Sequence, residues 1–213
     1  MTIRPMPGGQ TYIARDVPLR LMIKAMYRIT DAQIIGGEAW IDTEHYDIDA
    51  KVDRPATLDQ LHAMFRNLLA DRFQLRFHRE TRLAPAYVLA VAKSGAKLKR
   101  SDAQEEFDVP IKPGGPQGSI ATRASMSYLP FYLSQYLDRP VVNETGLDGY
   151  YDFELKLYPN NGPGLSSRGR GDAPDMDSDI VIPLRNQLGL TLQQRKAPVE
   201  LLVIDHAARP EAN

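Results

Sequence analysis

Two hydrophobic spacings alternate along this chain, and the order of the switches predicts its elements. Leu19, Met22, Ile23, Met26 and Tyr27 recur at helical spacing, so Val17–Arg28 is read as an amphipathic helix with Asp16 as N-cap and Pro18 in its first turn. A second stripe, Leu61, Met64, Phe65, Leu68 and Leu69, predicts a helix from Leu58 to about Ala70, opened by a Thr57–Gln60 capping box. Tyr46, Ile48, Ala50 and Val52 alternate with Asp47, Asp49 and Lys51, which is the period of a strand with one wet face. Phe73, Leu75 and Phe77 alternate in the same way. Tyr87–Ala92 is apolar on both faces and reads as a central strand. Gln10–Ala14 and Ala32–Ile35 read as short strands.

From 94 to 118 the pattern gives way to charges and Lys112-Pro113-Gly114-Gly115-Pro116, a linker or long loop. The same grammar then starts again. Ser119–Arg123 reads as a strand, Leu129, Tyr132, Leu133, Tyr136 and Leu137 as a helix capped at Ser127, and Pro140–Asn143 as a short strand. Tyr151, Phe153, Leu155 and Leu157 alternate with acids and lysine. A helix near Ile180–Leu188 closed by Gly189 and strands at Leu190–Arg195 and Glu200–Ile204 follow a polar loop at 159–178, expected to be mobile. Tyr46-Asp47-Ile48-Asp49-Ala50-Lys51 stands 105 positions before Tyr151-Asp152-Phe153-Glu154-Leu155-Lys156. The expectation is an α+β fold with mixed or antiparallel sheets, made of two pseudo-repeated β-α-β-β-α-β-β halves, 1–93 and 119–213, joined by 94–118 into one compact unit.

The 213 residues are enough for a self-sufficient core. A formal net charge of −1 offers no global basic excess for a nucleic-acid backbone, so no nucleic-acid partner is expected. The absence of cysteine excludes disulfides, thiolate metal sites and cysteine nucleophiles. No apolar run reaches the roughly 18 residues needed to span a bilayer. Met1-Thr2-Ile3-Arg4-Pro5 has no apolar core and is not a signal peptide, so a leader is expected to be missing from this chain.

Several motifs occur in a distinctive order: Ile34-Ile35-Gly36-Gly37, Trp40, Tyr46-Asp47-Ile48, Leu68-Leu69-Ala70-Asp71-Arg72-Phe73, His78-Arg79-Glu80-Thr81, Pro140-Val141-Val142, Thr145-Gly146-Leu147 and Val203-Ile204-Asp205-His206. Together the string resembles a soil-associated bacterial family known as a domain of unknown function. The resemblance implies a bacterial, extracytoplasmic protein, since members usually carry a secretory leader. Some similar domains follow a membrane metallopeptidase of the antibiotic-sensor type. The resemblance brings no catalytic residues and no cofactor.

The candidate chemistry is thin. His78 shares a strand face with Arg76 and Glu80, and a His beside a carboxylate can act as a general base near neutral pH. The competing reading is a solvated face with cross-strand ion pairs. His45, Asp47 and Asp49 project at period two, a partial ligand set for a divalent ion that lacks a further donor, and no metal site is expected. Asp175-Met176-Asp177-Ser178-Asp179 opens like a calcium loop but has Ile180 and Asn186 where such a loop needs Gly and Glu. No nucleophile elbow, phosphate loop, dinucleotide fingerprint or zinc-protease motif is present.

The first functional expectation is therefore an extracytoplasmic, non-catalytic module that binds a small molecule or a protein through Trp40, Tyr46, Arg72 and Arg76. The alternatives are a hydrolase with a nonstandard site built on His78, Glu80, His45 and Asp47, and a sensor or regulatory domain of a membrane peptidase system.

Overall fold

The computed structural model describes residues 1–6, 8–102, 109–113, 118–156 and 180–211. The loop at 159–178, with its acidic stretch, lies outside them. Helices combine with parallel and antiparallel strand pairs, and the fold is α+β. The chain forms two compact units.

The first unit is built chiefly from Met1–Leu83 and Pro198–Asn213. Strands β1 (Thr2–Pro5), β2 (Thr11–Pro18) and β4 (His45–Lys51) form an antiparallel sheet in the order β1-β2-β4. Helix α1 (Leu19–Tyr27) buries Leu19, Met22, Ile23 and Met26 against it. The helix begins later than its periodicity suggests, and Asp16 is not its cap. A residue before proline disfavours helical backbone, so Val17 stays extended and Pro18 takes the N-cap position. Asp16 instead adopts a left-handed conformation, φ 55°, inside β2.

One 3-10 turn, Asp31–Gln33, replaces the start of the expected strand and leads into β3 (Ile34–Gly36). A short helix, α2 (Trp40–Thr43), has no signal in the sequence, because four residues carry no readable period. Helix α3 (Leu58–Arg72) has the expected capping box. Thr57 Oγ1 accepts the Gln60 N–H at 3.2 Å, and Gln60 Oε1 accepts the Thr57 N–H at 2.9 Å. Phe73 ends this helix instead of starting a strand. Gln74 turns the chain in a left-handed conformation, φ 47°, and β5 runs unbroken from Arg76 to Val91. The two strands expected at Phe73–Phe77 and Tyr87–Ala92 thus share one element. Phe65, Phe73 and Ile41 lie at the centre of this unit's core.

The second unit is built chiefly from Ala84–Gln104 and Pro110–Ala197. Strands β6 (Lys99–Arg100), β7 (Ile111–Pro113), β8 (Gly118–Ser125) and β10 (Tyr150–Lys156) pair in the order β6-β10-β8-β7. Two of these strands lie in the segment read as a linker. Helix α4 (Tyr128–Ser134) buries Leu129 and Leu133, and Ser127 stands at its N-cap position. The helix expected near Ile180–Leu188 is present; its last five residues, Leu184–Leu188, are wound as a π-helix that ends at Gly189. Strand β11 (Leu190–His206) is continuous where two strands were expected.

The two units share local devices. In β2, Arg15 and Asp16 together oppose Asp47, and the Asp16 N–H donates to Asp47 Oδ1 at 2.8 Å. In β8, Thr122 and Arg123 together oppose Asp152, and the Arg123 N–H donates to Asp152 Oδ1 at 2.8 Å. Arg123, like Asp16, is left-handed, with φ 54°. Each is a bulge that puts two residues against one and turns the strand. In the first unit β3 lies parallel to β11, with Ile34 opposite Leu202. In the second unit β9 (Val141–Asn143) lies parallel to β5, with Val141 opposite Tyr87. No helix among the described residues is long and apolar enough to cross a membrane.

Candidate functional site

A cleft of about 240 Å³ opens in the first unit. Strand β4 supplies Tyr46, Asp47, Ile48 and Asp49, α3 supplies Leu68 and Arg72, Phe73 follows, and the C-terminal tail adds Pro210 and Glu211. The chain reaches this arrangement through ordinary local rules. Tyr46 and Ile48 alternate inward on β4 and pack against the core, while Phe73 is fixed at the helix end with 1% of its surface exposed. Tyr46 meets Phe73 edge-to-face at 5.0 Å, and Trp40 lies on the Phe73 ring at 6.5 Å and an interplanar angle of 13°.

The tail is anchored beside these rings. The Ala208 N–H donates to the Phe73 carbonyl at 2.7 Å. The Arg209 guanidinium bonds both Glu44 oxygens and sits 5.2 Å from the centre of the Trp40 ring. The Tyr46 hydroxyl donates to the same Glu44 carboxylate at 3.0 Å. The Arg209 bonds hold the Glu44 carboxyl below its ordinary range, and burial followed by the Glu44 contact pushes the Tyr46 hydroxyl up.

Two of the charges on the cleft are already committed. Arg15 bonds both oxygens of Asp49, at 2.6 and 2.7 Å. Asp47 Oδ1 holds the bulge. The structure thus brings Tyr46, Arg72 and Asp47 to one cleft. Trp40 is 5% exposed and lies behind Phe73 under Arg209, outside the lining. Arg76, His78 and Glu80 lie together on β5, also outside the lining.

The two candidate histidines differ in what they can do. His78 Nδ1 is 2.8 Å from Asp205 and its Nε2 is 3.1 Å from Glu80. Both ring nitrogens face carboxylates, an arrangement that favours the imidazolium, and its pKa is raised first by Glu80 and then by Asp205. That ring has no free nitrogen with which to take a substrate proton. His45 Nδ1 is 2.7 Å from Asp16 Oδ1, and this bond lowers the Asp16 pKa. Its metal-ligand partners on β4 are engaged elsewhere, and among the described residues no group of three or more His, Asp or Glu could hold a metal ion.

The cleft residues that sequence reading misses are Ile48, Leu68 and Phe73, which their spacing places on strand and helix faces, and Pro210 and Glu211 of the tail, with Arg209 beside them. The hydrophobic period of α3 announces Leu68, but nothing in the pattern says that its outer edge meets β4. The tail has no period at all.

The family described as "Protein of unknown function (DUF3738)" matches residues 20–207. The chain belongs to this family. The DUF3738 match covers all of β4, α3 and Phe73, so every wall of the cleft except Pro210 and Glu211 falls within it. No curated protein and no solved structure matches the chain.

Proposed function

We propose that this DUF3738 protein is a non-catalytic binding module and that its ligand sits in the cleft between β4, α3 and the C-terminal tail. The observation that carries the reading is the lining: Tyr46, Ile48, Leu68 and Phe73 supply an apolar wall, and Asp47, Asp49, Arg72 and Glu211 supply charge around it. Concave sites with apolar walls and a few convergent polar groups are where small ligands bind. The volume lies below the roughly 300–1,000 Å³ of drug-sized sites, so the occupant is a small molecule. Placement outside the cytoplasm belongs to the same reading and rests on the motif resemblance.

The hydrolase alternative finds one favourable observation. His45 bonds Asp16 through Nδ1, an arrangement that orients an imidazole for proton transfer. His78 and Glu80 cannot serve in that role while both His78 nitrogens face carboxylates. We also propose that the two units are copies of one half-fold, supported by the matched bulges at Asp16 and Arg123.

The test has two arms. Thermal unfolding of the whole chain is followed with a fragment set of ring-bearing amines, acids and alcohols, in the wild type and in Leu68→Trp, which fills the cleft. Stabilisation of the wild type that Leu68→Trp abolishes supports the reading. Turnover on ester, phosphate, glycoside or peptide substrates that a folded His45→Ala protein loses would replace it with the hydrolase.

A further inference from the structure

We propose that the cleft takes an organic cation, an ammonium or guanidinium group carried on a short apolar body. The inference rests on the binding reading above and adds the chemical class of the ligand. Asp47, Asp49 and Glu211 outnumber Arg72 along the lining. Asp49 is neutralised by Arg15. Asp47 Oδ2 and the Glu211 carboxylate have no ion-pair partner among the described residues. A ligand entering the cleft strips water from both groups. That desolvation is unfavourable unless the incoming group donates hydrogen bonds and carries positive charge. A carboxylate or phosphate would add to the negative charge it meets. Tyr46, which is only partly buried, favours the same class, because aromatic rings attract cations and accept apolar bodies.

A second observation comes from the matching joint in the second unit. The bulges equate Asp47 with Asp152, and the left-handed turns at Gln74 and Gly189 equate Phe73 with Leu188, so Gln187 takes the place of Arg72. There the polar side chain is turned onto the strand. Gln187 Oε1 accepts the Lys156 N–H at 2.8 Å and its Nε2 donates to the Lys156 carbonyl at 2.9 Å. The Lys97 N–H donates to the Leu188 carbonyl at 2.8 Å, as the Ala208 N–H does to the Phe73 carbonyl in the first unit. A Cβ at Gly189 would lie 2.0 Å from the Gly95 carbonyl oxygen. Gln187 thus spends its polar atoms on the backbone of Lys156. In the first unit a cleft opens at this place, and its walls carry charge.

Isothermal titration of the whole chain with benzylamine, benzyl alcohol and benzoate tests the class. These probes share a ring and differ in charge. The expected result is benzylamine binding about tenfold more tightly than benzyl alcohol, the size of one charge-assisted contact, with benzoate weakest. Added salt should weaken only the benzylamine complex. Glu211→Gln should remove most of the benzylamine advantage, and Leu68→Trp should abolish binding of every probe while leaving the denaturation midpoint near that of the wild type. Benzoate binding as tightly as benzylamine, and blocked by Leu68→Trp, would overturn the cationic class and leave the cleft as a binding site. Binding of no probe, or binding indifferent to Leu68→Trp, would overturn the binding reading itself.

Discussion

Asp47 holds the backbone N–H of Asp16, the one left-handed residue of β2, at 2.8 Å. A non-glycine residue in that conformation costs on the order of 1 kcal/mol, and the charged acceptor on its N–H offsets that cost. Asp47→Ala should lower stability by about 1 kcal/mol. Asp152→Ala, which removes the acceptor for Arg123 in the second unit, should do the same. Urea denaturation measures both. Unequal effects, with one variant silent, would count against the two units being copies.

Among the described glycines, Gly189 gives the largest effect expected of an added methyl. Its φ is +64° and an added Cβ would run into the Gly95 carbonyl. Gly189→Ala should destabilise the protein by more than about 2 kcal/mol, since backbone strain and a steric clash combine. Gly146→Ala is the control. Its φ is the same, +64°, but nothing lies within 4 Å of the new Cβ, so a much smaller loss is expected.

Two histidines should give pH dependence of opposite sign. His78 has its pKa raised by Glu80 and Asp205. Its contribution to stability is complete below the unfolded value near 6.5 and is lost as pH rises through the folded value. His62 is buried beside Tyr12, and burial lowers its pKa to about 3, with Arg28 and Arg66 adding to the effect. Its contribution is complete above about 6.5 and is lost as pH falls toward 3. Denaturation midpoints followed from pH 4 to pH 9 should lose their alkaline decline in His78→Gln and part of their acid decline in His62→Gln.

Trp40 is the single tryptophan and reports on the tail. Arg209→Ala removes the guanidinium lying 5.2 Å from the ring centre and the clamp on Glu44. The emission maximum should move to the red as water reaches the indole. An unchanged spectrum would mean that Phe73 and its neighbours alone keep Trp40 dry.

Much of the fold is legible because its elements obey one period at a time. The α3 stripe and the Thr57–Gln60 box are read directly from spacing, as is the alternation of β4. The misreadings have physical causes. Asp16 looks like an N-cap until Pro18 is allowed to hold Val17 extended. Gln74 can take a left-handed backbone without being glycine, so the turn between α3 and β5 leaves no mark. The middle of β5, with Glu80, Thr81 and Arg82 in it, interrupts the apolar pattern without interrupting the strand. The site is half legible. Tyr46, Asp47 and Arg72 lie in motifs that stand out. Glu211 becomes relevant only because the Ala208–Phe73 bond brings the tail back beside α3, and no local pattern encodes that return.

Whether the cleft of the first unit receives a ligand is decided by a ¹H–¹⁵N correlation map of the labelled whole chain during titration with benzylamine. Binding in the cleft predicts saturable shifts at Tyr46–Asp49, Leu68–Phe73 and Glu211, and none at Arg76–Glu80. Shifts centred on His78 or His45, or none at any residue, would contradict it.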